Sequence, residues 1–178
     1  MRKLSLILFI FSACWFVGCN SGTGPAGTDE VVSTADTSGA ALTEEELDTT
    51  LQHVEEITIK AIGNTLEEMS YDQDTIEVKP GTLVKLTLIN EGTEQSMIHN
   101  IVFTQPDKYK LVALAGAKVG APGNYVPESE VVLAASPLAL PGQTVELEFT
   151  APTDSGMYSF VCTYPGHWQK MNGVLLVR

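Results

Sequence analysis

The sequence predicts an all-β fold, a β-sandwich of about eight short strands with one short helical flap. From residue 55 onward, short runs rich in β-branched and aromatic residues alternate with turn residues. The clearest turn signals contain Pro-Gly or Asn-Gly and lie at residues 79–81, 140–142 and 172–173. Short strands at this spacing are typical of a sandwich or barrel. The region before residue 55 has a different composition and is interpreted separately.

Residues 1–19 have the features of a signal peptide of the lipoprotein type. Arg2 and Lys3 precede an apolar run, and small residues follow before Cys19. Residues 16–19 resemble a bacterial lipobox, in which the cysteine thiol receives a diacylglycerol, so we expect lipidation at Cys19. Cys14 is a second candidate, and an ordinary signal peptide is the alternative. A membrane-spanning helix is disfavoured, because the apolar run falls short of the roughly 20 residues that span a bilayer.

Residues 20–54 are expected to form an acidic, flexible tether. They are rich in Gly, Ser, Thr and Ala and contain seven acidic residues but no Lys or Arg. Such a segment has too little apolar surface to compensate for the entropy of ordering. Within it, Thr43 and Glu46 have the spacing of a helix capping box, so a short helix over 43–54 is predicted. We expect His53, near its end, to lie at the surface.

The domain itself is predicted to occupy residues 55–178. Its strands are expected at 57–62, 75–78, 83–90, 98–103, 131–134, 145–149, 157–162 and 174–177, each rich in Val, Ile, Leu, Phe or Thr. Between the fourth and fifth strands, the apolar side chains of 108–118 recur at nearly helical spacing. We expect Leu111, Val112, Leu114 and Ala115 to pack this flap against one edge of the sandwich.

The turn between the last two predicted strands contains three side chains suited to binding a metal. Four residues separate Cys162 from His167, and three separate His167 from Met171. Pro165-Gly166 turns the loop sharply between them. A second imidazole, that of His99, stands in an apolar setting more than sixty residues earlier. One thiolate, two imidazoles and a thioether are the ligand set of a blue copper centre.

The use of cysteine supports metal binding. If Cys14 leaves with the signal peptide and Cys19 is acylated, Cys162 is the only cysteine of the folded region. An unpaired thiol in an oxidising compartment is a liability unless a ligand occupies it. Zinc is the alternative metal, but a thioether is a poor zinc ligand and favours copper. We therefore predict one copper ion per chain, cycling between Cu(I) and Cu(II).

A single copper centre points to electron transfer rather than catalysis. A copper enzyme would need a second metal centre, and only His53 is left to build one, so we expect no enzymatic activity. Copper storage or delivery with the same ligand cluster is the alternative, although a closed cage disfavours release of the metal. A purely structural sandwich domain is disfavoured, because it would not require the spacing of Cys162, His167 and Met171.

These motifs resemble those of the cupredoxins, in particular the azurin and auracyanin branch. Residues 162–167, followed by Met171 and Gly173, are similar to the azurin ligand loop, and the pair His99-Asn100 is similar to the upstream histidine and asparagine. The resemblance covers about 55–178. It implies a Greek-key β-sandwich in which His99, Cys162 and His167 are the strong ligands of a type 1 copper and Met171 is the weak axial one.

Residues around the ligands are expected to hold them in place. Asn100 is positioned to bond across to the Cys162 loop, and Thr163 offers a hydroxyl and an amide near the sulfur. In azurins a glycine usually precedes the upstream histidine, and its carbonyl approaches the copper opposite the methionine. Ile98 stands there in this chain, so its carbonyl is the expected counterpart. The azurin disulfide is absent, since no cysteine pair exists in the domain.

The charge of the protein predicts its partners. The chain carries 22 acidic residues against 10 Lys and Arg, a formal net charge of −12. Acidic proteins attract basic partners over long distances, so we expect a c-type cytochrome or a subunit of a terminal oxidase or reductase, and no nucleic acid. With the signal peptide and Cys19, this predicts an exported protein, periplasmic or at the cell surface and lipid-anchored to a membrane. Trp168 and Pro165 are expected to frame the docking patch.

Overall fold

Two β-sheets and one α-helix form the part of the chain that the structure, a computed structural model, describes, residues 53–178. The helix is α1 (Tyr109–Val119), and a 3₁₀ turn at Ala121–Gly123 follows it. The strands are β1 (Val54–Ile62), β2 (Ser70–Tyr71), β3 (Thr75–Val78), β4 (Leu83–Asn90), β5 (Val102–Thr104), β6 (Val132–Ala135), β7 (Thr144–Thr150), β8 (Gly156–Val161) and β9 (Asn172–Val177). None of the described helices is long and apolar enough to cross a membrane.

The first sheet has the strand order β2-β1-β4-β7. Its central pair, β1 and β4, is parallel, with Val54 opposite Leu83 and Ala61 opposite Asn90. The outer pairs, β1 with β2 and β4 with β7, are antiparallel. Burial alternates along β4, because successive side chains of a strand point to opposite faces of the sheet. One face therefore packs into the sandwich and the other faces solvent.

The second sheet has the order β3-β9-β8-β5-β6 and provides the scaffold for the candidate metal site. Strand β9 pairs in parallel with β3 and antiparallel with β8. Strand β5 is antiparallel to both β8 and β6. In the β5–β8 pair, Val102 lies opposite Val161. The segments just before Val102 and just after Val161 therefore lie at the same end of the sandwich.

The core lies between the two sheets. Phe103 of the second sheet stacks on Phe149 of the first, with ring centroids 4.6 Å apart. Complete burial of such a side chain contributes about 1.5–3 kcal/mol to folding. The buried cluster extends to the metal-site residues Cys162 and Met171. The site is thus continuous with the core and shares its rigidity.

The helix α1 covers the outer face of the second sheet. Val112 and Ala113 are buried against Val102 and Val161 of β5 and β8. The expectation that Leu111 and Leu114 would also pack there was wrong, since these residues are 58% and 48% exposed. The physical reason is that small residues at positions 113 and 116 let the helix approach closely on that side, which turns the two leucines toward solvent.

The all-β sandwich with one helical flap is confirmed, with nine strands rather than about eight. The additional strand, β2, has only two residues. The predicted strand over 98–103 is shorter in the structure, because His99 forms only an isolated bridge and β5 begins at Val102. The predicted signal peptide, the lipidation site Cys19 and the tether lie outside the described residues, apart from the last two residues of the tether. Val54, the end of the predicted tether helix, already belongs to β1.

Candidate metal centre

The predicted strong ligands reach the same end of the sandwich from two directions. His99 lies before β5, where its N–H donates to the carbonyl of Ala139 at 3.1 Å and its carbonyl accepts from the Ala139 N–H at 2.7 Å. Cys162 directly follows β8, and His167 lies five residues further on, in the β8–β9 loop. The pairing of β5 with β8 therefore brings together side chains 63 residues apart in the sequence.

The loop over 162–171 is closed by its own backbone. The Cys162 N–H donates to the Met171 carbonyl at 2.9 Å, which places the two ends of the loop side by side. Inside the loop, the Met171 N–H donates to the His167 carbonyl at 2.9 Å. Gly166 has φ +86°, a left-handed conformation that favours glycine. The turn at Gly166 brings the chain back so that His167 and Met171 lie on the same side as Cys162.

Three donor side chains converge at this point. The ligand atoms of His99, Cys162 and His167 all lie within 4.8 Å of one another, and all three residues are buried. The Cys162 Sγ is 3.9 Å from Nδ1 of His99 and 3.8 Å from Nδ1 of His167, and the two Nδ1 atoms are 3.2 Å apart. Both imidazoles thus present the same ring nitrogen to a common centre, together with the sulfur.

The environment keeps the two imidazoles uncharged. Burial, together with neighbouring His167, lowers the pKa of His99 to about 3, and burial lowers the pKa of His167 to about 4. Each ring therefore has a nitrogen lone pair at neutral pH. Nε2 of His99 is buried without a hydrogen-bond partner among the described residues. A proton on Nε2 would leave the Nδ1 lone pair facing the cluster.

The thiol has an environment that suits binding to a cation. Burial raises the pKa of Cys162 to about 11, while backbone hydrogen bonds from Asn100 and Tyr164 partly lower it. A bound cation would compensate the charge of the buried thiolate. The donor set of one sulfur and two imidazole nitrogens, with the thioether of Met171 in the same buried cluster, fits copper. The residues present thus fit the predicted ion.

Asn100 links the histidine segment to the cysteine loop through its side chain. The amide N–H of Thr163 donates to Oδ1 of Asn100 at 2.9 Å, and Nδ2 of Asn100 donates to Oγ1 of Thr163 at 2.9 Å. Nδ2 also lies 3.3 Å from the carbonyl of Asn124, in the turn after α1. Asn100 and Thr163 are both buried, so these bonds are shielded from competition with water. The side chain of Asn100 therefore ties three segments together at the site.

The remaining predicted residues are placed as follows. Met171 is fully buried and belongs to the same apolar cluster as Cys162. Ile98 is half-buried beside His99, and contact of its carbonyl with copper stays a prediction. His53 lies far along the chain from the cluster, with its side chain 63% exposed and 3.8 Å from a carboxylate oxygen of Glu55. Its expected position at the surface is confirmed.

Two buried polar residues near the site were missed in the sequence. Asn90, at the end of β4, donates from Nδ2 to the carbonyls of Met97 and Ala139 at 2.7 and 2.9 Å, which holds both sides of the His99 bridge. Tyr71 of β2 donates from its hydroxyl to the carbonyl of Asn100. Burial, followed by proximity to Cys162, holds the pKa of Tyr71 well above its ordinary value. Tyr71 has no local sequence signal, since its partner lies 29 residues away. Asn90 has one near partner, Met97, but its contact with Ala139 spans 49 residues and could not be predicted from a local pattern.

Comparison with known proteins agrees with this geometry. Residues 57–178 match the family model described as copper binding proteins, plastocyanin/azurin family. The chain is 36% identical over 125 residues to auracyanin-A of Chloroflexus aurantiacus, covering 68% of this chain and 75% of the relative. It is 30% identical over 116 residues to azurin iso-2 of Methylomonas sp. strain J, covering 61% of this chain and 89% of that protein.

Solved structures give the same picture. The structure of auracyanin A, described as a blue copper protein from Chloroflexus aurantiacus, superposes with a TM-score of 0.63 at 33% identity, covering 70% of this chain and 99% of that chain. An azurin from Methylomonas sp. strain J superposes with a TM-score of 0.62 at 27% identity, covering 70% and 98% of the two chains. The similarity thus extends over the part that contains the His-Cys-His cluster.

Proposed function

Because the chain belongs to the plastocyanin/azurin family of copper-binding proteins, we propose that it shuttles single electrons between redox partners outside the cytoplasm. It is a blue copper protein that transfers electrons and is not an enzyme. One observation supports this function most strongly: two neutral imidazole nitrogens and the Cys162 sulfur converge within 4.8 Å in a buried site.

The protein has a single type 1 copper site formed by His99, Cys162, His167 and Met171. Bound copper supplies one-electron chemistry by cycling between Cu(I) and Cu(II). The chain contributes a fixed arrangement of donors. His99 is held by its bridge to Ala139, and the loop ends are held by the bond from Cys162 to Met171. Ligands that move little between oxidation states keep the reorganisation energy of electron transfer low.

The burial of the ligands excludes water from the site. His99, Cys162 and Met171 are 0% exposed and His167 is 1% exposed. Water therefore has no direct access to the sulfur or to the histidine rings. A closed site of this kind favours retention of the ion, and it disfavours the alternative of copper storage or delivery, which requires release of the metal.

The route for electrons is proposed to pass through the β8–β9 loop near His167. Pro165 and Gly166 are exposed, and they directly precede this buried ligand. Trp168 is half-buried and packs against the cluster under α1, with Nζ of Lys110 5.2 Å from its ring centroid. We propose that Pro165 and the exposed edge of Trp168 contact the redox partner. An unchanged electron-transfer rate in Trp168→Ala would argue against this role for Trp168.

The partners are proposed to be basic redox proteins, such as a c-type cytochrome or a subunit of a terminal oxidase or reductase. Support comes from charge, since residues 55–178 contain 15 acidic residues and 8 Lys or Arg. Three of these cations, Lys60, Lys85 and Arg178, are already paired with carboxylates. Each pair also occupies one carboxylate, so the excess of acidic over basic residues is unchanged and can attract a basic surface.

Export and lipid anchoring are also proposals. They rest on the basic start and apolar run of residues 1–19 and on the position of Cys19. Mass spectrometry of the N-terminal peptide from cells that export the protein tests this directly. A diacylglyceryl group on Cys19 at the new N-terminus is expected. Cleavage elsewhere with an unmodified Cys19 would contradict the anchor.

An optical titration with copper tests the proposed function. Addition of Cu(II) to the exported protein should give an intense visible band from charge transfer between the thiolate and copper. The band should bleach with ascorbate and return on reoxidation, and Cys162→Ser should abolish it. Met157→Leu, which alters a side chain 66% exposed on β8, is the control and should keep the band. A colourless wild-type protein, or one that prefers zinc, would refute electron transfer at this site.

A further inference from the structure

Tyr71 crosses the sandwich to reach the metal site from the opposite sheet. It belongs to β2, at the edge of the first sheet, where it pairs with Ala61 of β1. Its ring packs edge-on against Phe160 of the second sheet, with centroids 5.5 Å apart and planes at 65°. Its hydroxyl donates a buried hydrogen bond of 2.5 Å to the carbonyl of Asn100. One side chain thus joins an edge strand to the residue that follows a copper ligand.

Asn100 is the point through which this contact reaches the sulfur. Its backbone N–H acts on the sulfur of Cys162, where it lowers the pKa of the thiol, and its side chain is fixed by Thr163. Its carbonyl is the group that Tyr71 holds. The backbone N–H and both polar atoms of the side-chain amide therefore contact the cysteine loop, and the backbone carbonyl is held from the first sheet.

The neighbouring peptides are already fixed without Tyr71. The N–H and carbonyl of His99 both pair with Ala139. The N–H of Ile101 donates to Oγ of Ser136 at 3.0 Å, and its carbonyl accepts from the Ser136 N–H at 3.0 Å. Among the described residues, Tyr71 supplies the one hydrogen bond recorded to the Asn100 carbonyl. Loss of this hydroxyl would therefore act on Asn100 rather than on the whole segment.

We propose that Tyr71 is a positioning residue of the copper centre, whose hydroxyl fixes the backbone of Asn100 and thereby the N–H···S hydrogen bond to Cys162. The proposal rests on the electron-transfer function proposed above. Without the hydroxyl, the buried Asn100 carbonyl lacks its partner, and the peptide gains freedom to turn toward another donor. A rotation about Asn100 also moves its N–H relative to the sulfur. A weaker hydrogen bond to the sulfur changes how much electron density the thiolate donates to copper.

The direction of the effect follows from charge. The reduced site carries one more electron than the oxidised site, so a hydrogen bond to the sulfur stabilises the reduced form more. A weakened N–H···S bond should therefore lower the reduction potential. The same change lets the thiolate donate more electron density to oxidised copper, which shifts the charge-transfer band. Loss of packing around Tyr71 alone would not weaken the N–H···S bond, so it would not lower the reduction potential and shift the charge-transfer band together.

Tyr71→Phe tests the proposal, because it removes the hydroxyl and keeps the ring against Phe160. Tyr158→Phe is a matched control, since the Tyr158 hydroxyl also donates to a backbone carbonyl, that of Asp154 at 3.0 Å, but at an exposed position. We expect Tyr71→Phe to lower the potential and shift the visible band, while Tyr158→Phe leaves both at wild-type values. The melting temperature of the copper-free proteins is measured in parallel and should fall by about 4 °C in Tyr71→Phe.

The possible results separate the role of Tyr71 from that of the site. Tyr71→Phe with a lower copper-free melting temperature but wild-type band and potential would refute positioning and leave only a structural role. If Tyr71→Phe does not fold, NMR of the wild-type Cu(I) protein decides. The Tyr71 hydroxyl proton should exchange with solvent far more slowly than that of Tyr158, and equally fast exchange would refute the bond. Failure of the proposed function would instead appear as a wild-type protein without the visible band.

Discussion

Met171 and Met157 are two thioethers on either side of Cys162 with opposite environments. Met171 is fully buried in the cluster that contains Cys162, whereas Met157 is 66% exposed. Leucine conserves the approximate volume of methionine but has no donor atom. We therefore expect Met171→Leu to keep the fold and the copper and to raise the reduction potential, because a lost donor destabilises Cu(II) more than Cu(I).

Protein-film voltammetry measures this potential directly. Met157→Leu serves as the control and should leave the potential at its wild-type value. A Met171→Leu protein with an unchanged potential would show that the thioether does not contribute to the site.

Asn100 contributes to stability as well as to the geometry of the ligands. Asn100→Ala leaves the buried amide and hydroxyl of Thr163 without their partner. An unsatisfied buried polar group costs about 1–3 kcal/mol, so we expect the free energy of unfolding of the copper-free protein to fall by about 2–3 kcal/mol. Urea denaturation measures the loss. Asn64→Ala, which removes an exposed bond to the Thr93 N–H, should cost about 1 kcal/mol or less. Equal losses in the two variants would contradict the role of Asn100.

The ligands could be predicted from the sequence because their information is local. Cys162, His167 and Met171 lie within ten residues, and the turn at 165–166 makes their convergence a property of one loop. His99 was found because it is one of only three histidines in the chain. The contact of Tyr71 with Asn100 could not be predicted in this way, since it joins a strand of the first sheet to a segment 29 residues later that lies before β5 of the second sheet. It depends on how the sheets pack, which no local pattern encodes.

At the scale of elements, the close fit of α1 depends on Gly116. A Cβ at this position would lie 2.0 Å from the carbonyl oxygen of Tyr125, a backbone atom that cannot move aside as a side chain can. We expect Gly116→Ala to lower the free energy of unfolding by about 1–3 kcal/mol, because this overpacking outweighs the better helix propensity of alanine. Thermal or urea denaturation measures the change.

A glycine in open surroundings gives the control for that variant. A Cβ at Gly156 would meet only Cε2 of Tyr158, at 3.9 Å, an ordinary contact. Gly156→Ala should therefore change the free energy of unfolding by less than about 0.5 kcal/mol. If Gly116→Ala were equally harmless, the helix would have room to move away from the Tyr125 turn.

The strands were predictable to the extent that a repeating pattern marks them. Strands β3 and β4 have the predicted bounds, because each alternates clearly between buried and exposed residues. Strand β2 has two residues, too few to show any period. The segment 98–101 is apolar enough to be read as a strand, yet its backbone groups bond to Ala139, Ser136 and Tyr71 instead of a regular ladder. Its hydrophobicity reflects burial beside the site rather than sheet formation.

For the whole molecule, we expect net charge to govern the encounter with redox partners. Residues 55–178 carry 15 acidic residues and 8 Lys or Arg. Screening at an ionic strength of 0.1 M limits such attraction to about 10 Å. We therefore expect the second-order rate of electron transfer to a basic c-type cytochrome to fall about tenfold or more from low to high salt. Stopped-flow measurements give the rate, and an acidic cytochrome should show the opposite dependence. A rate independent of salt would mean that the charge serves solubility alone.

Copper should also stabilise the whole fold. An ion that binds the native state and not the unfolded state adds about 2.7 kcal/mol when its free concentration is 100 times Kd. We expect calorimetry to show a higher melting temperature with copper than without it, and the difference should vanish in Cys162→Ser. An equal melting temperature for the two wild-type forms would indicate that the ion does not bind the native state preferentially.

The pairing of the second sheet has a consequence for the order of events during folding. Strand β3 pairs with β9, so the contact between Thr75 and Val174 closes a loop of about a hundred residues. Such distant pairings make a β-protein slow to fold, on the scale of milliseconds to seconds. The cysteine loop directly precedes β9, and His99 lies within the long loop between β3 and β9. His99 reaches the cysteine loop only when β5 pairs with β8, so the complete set of ligands forms late in folding, after segments 63 residues apart have met.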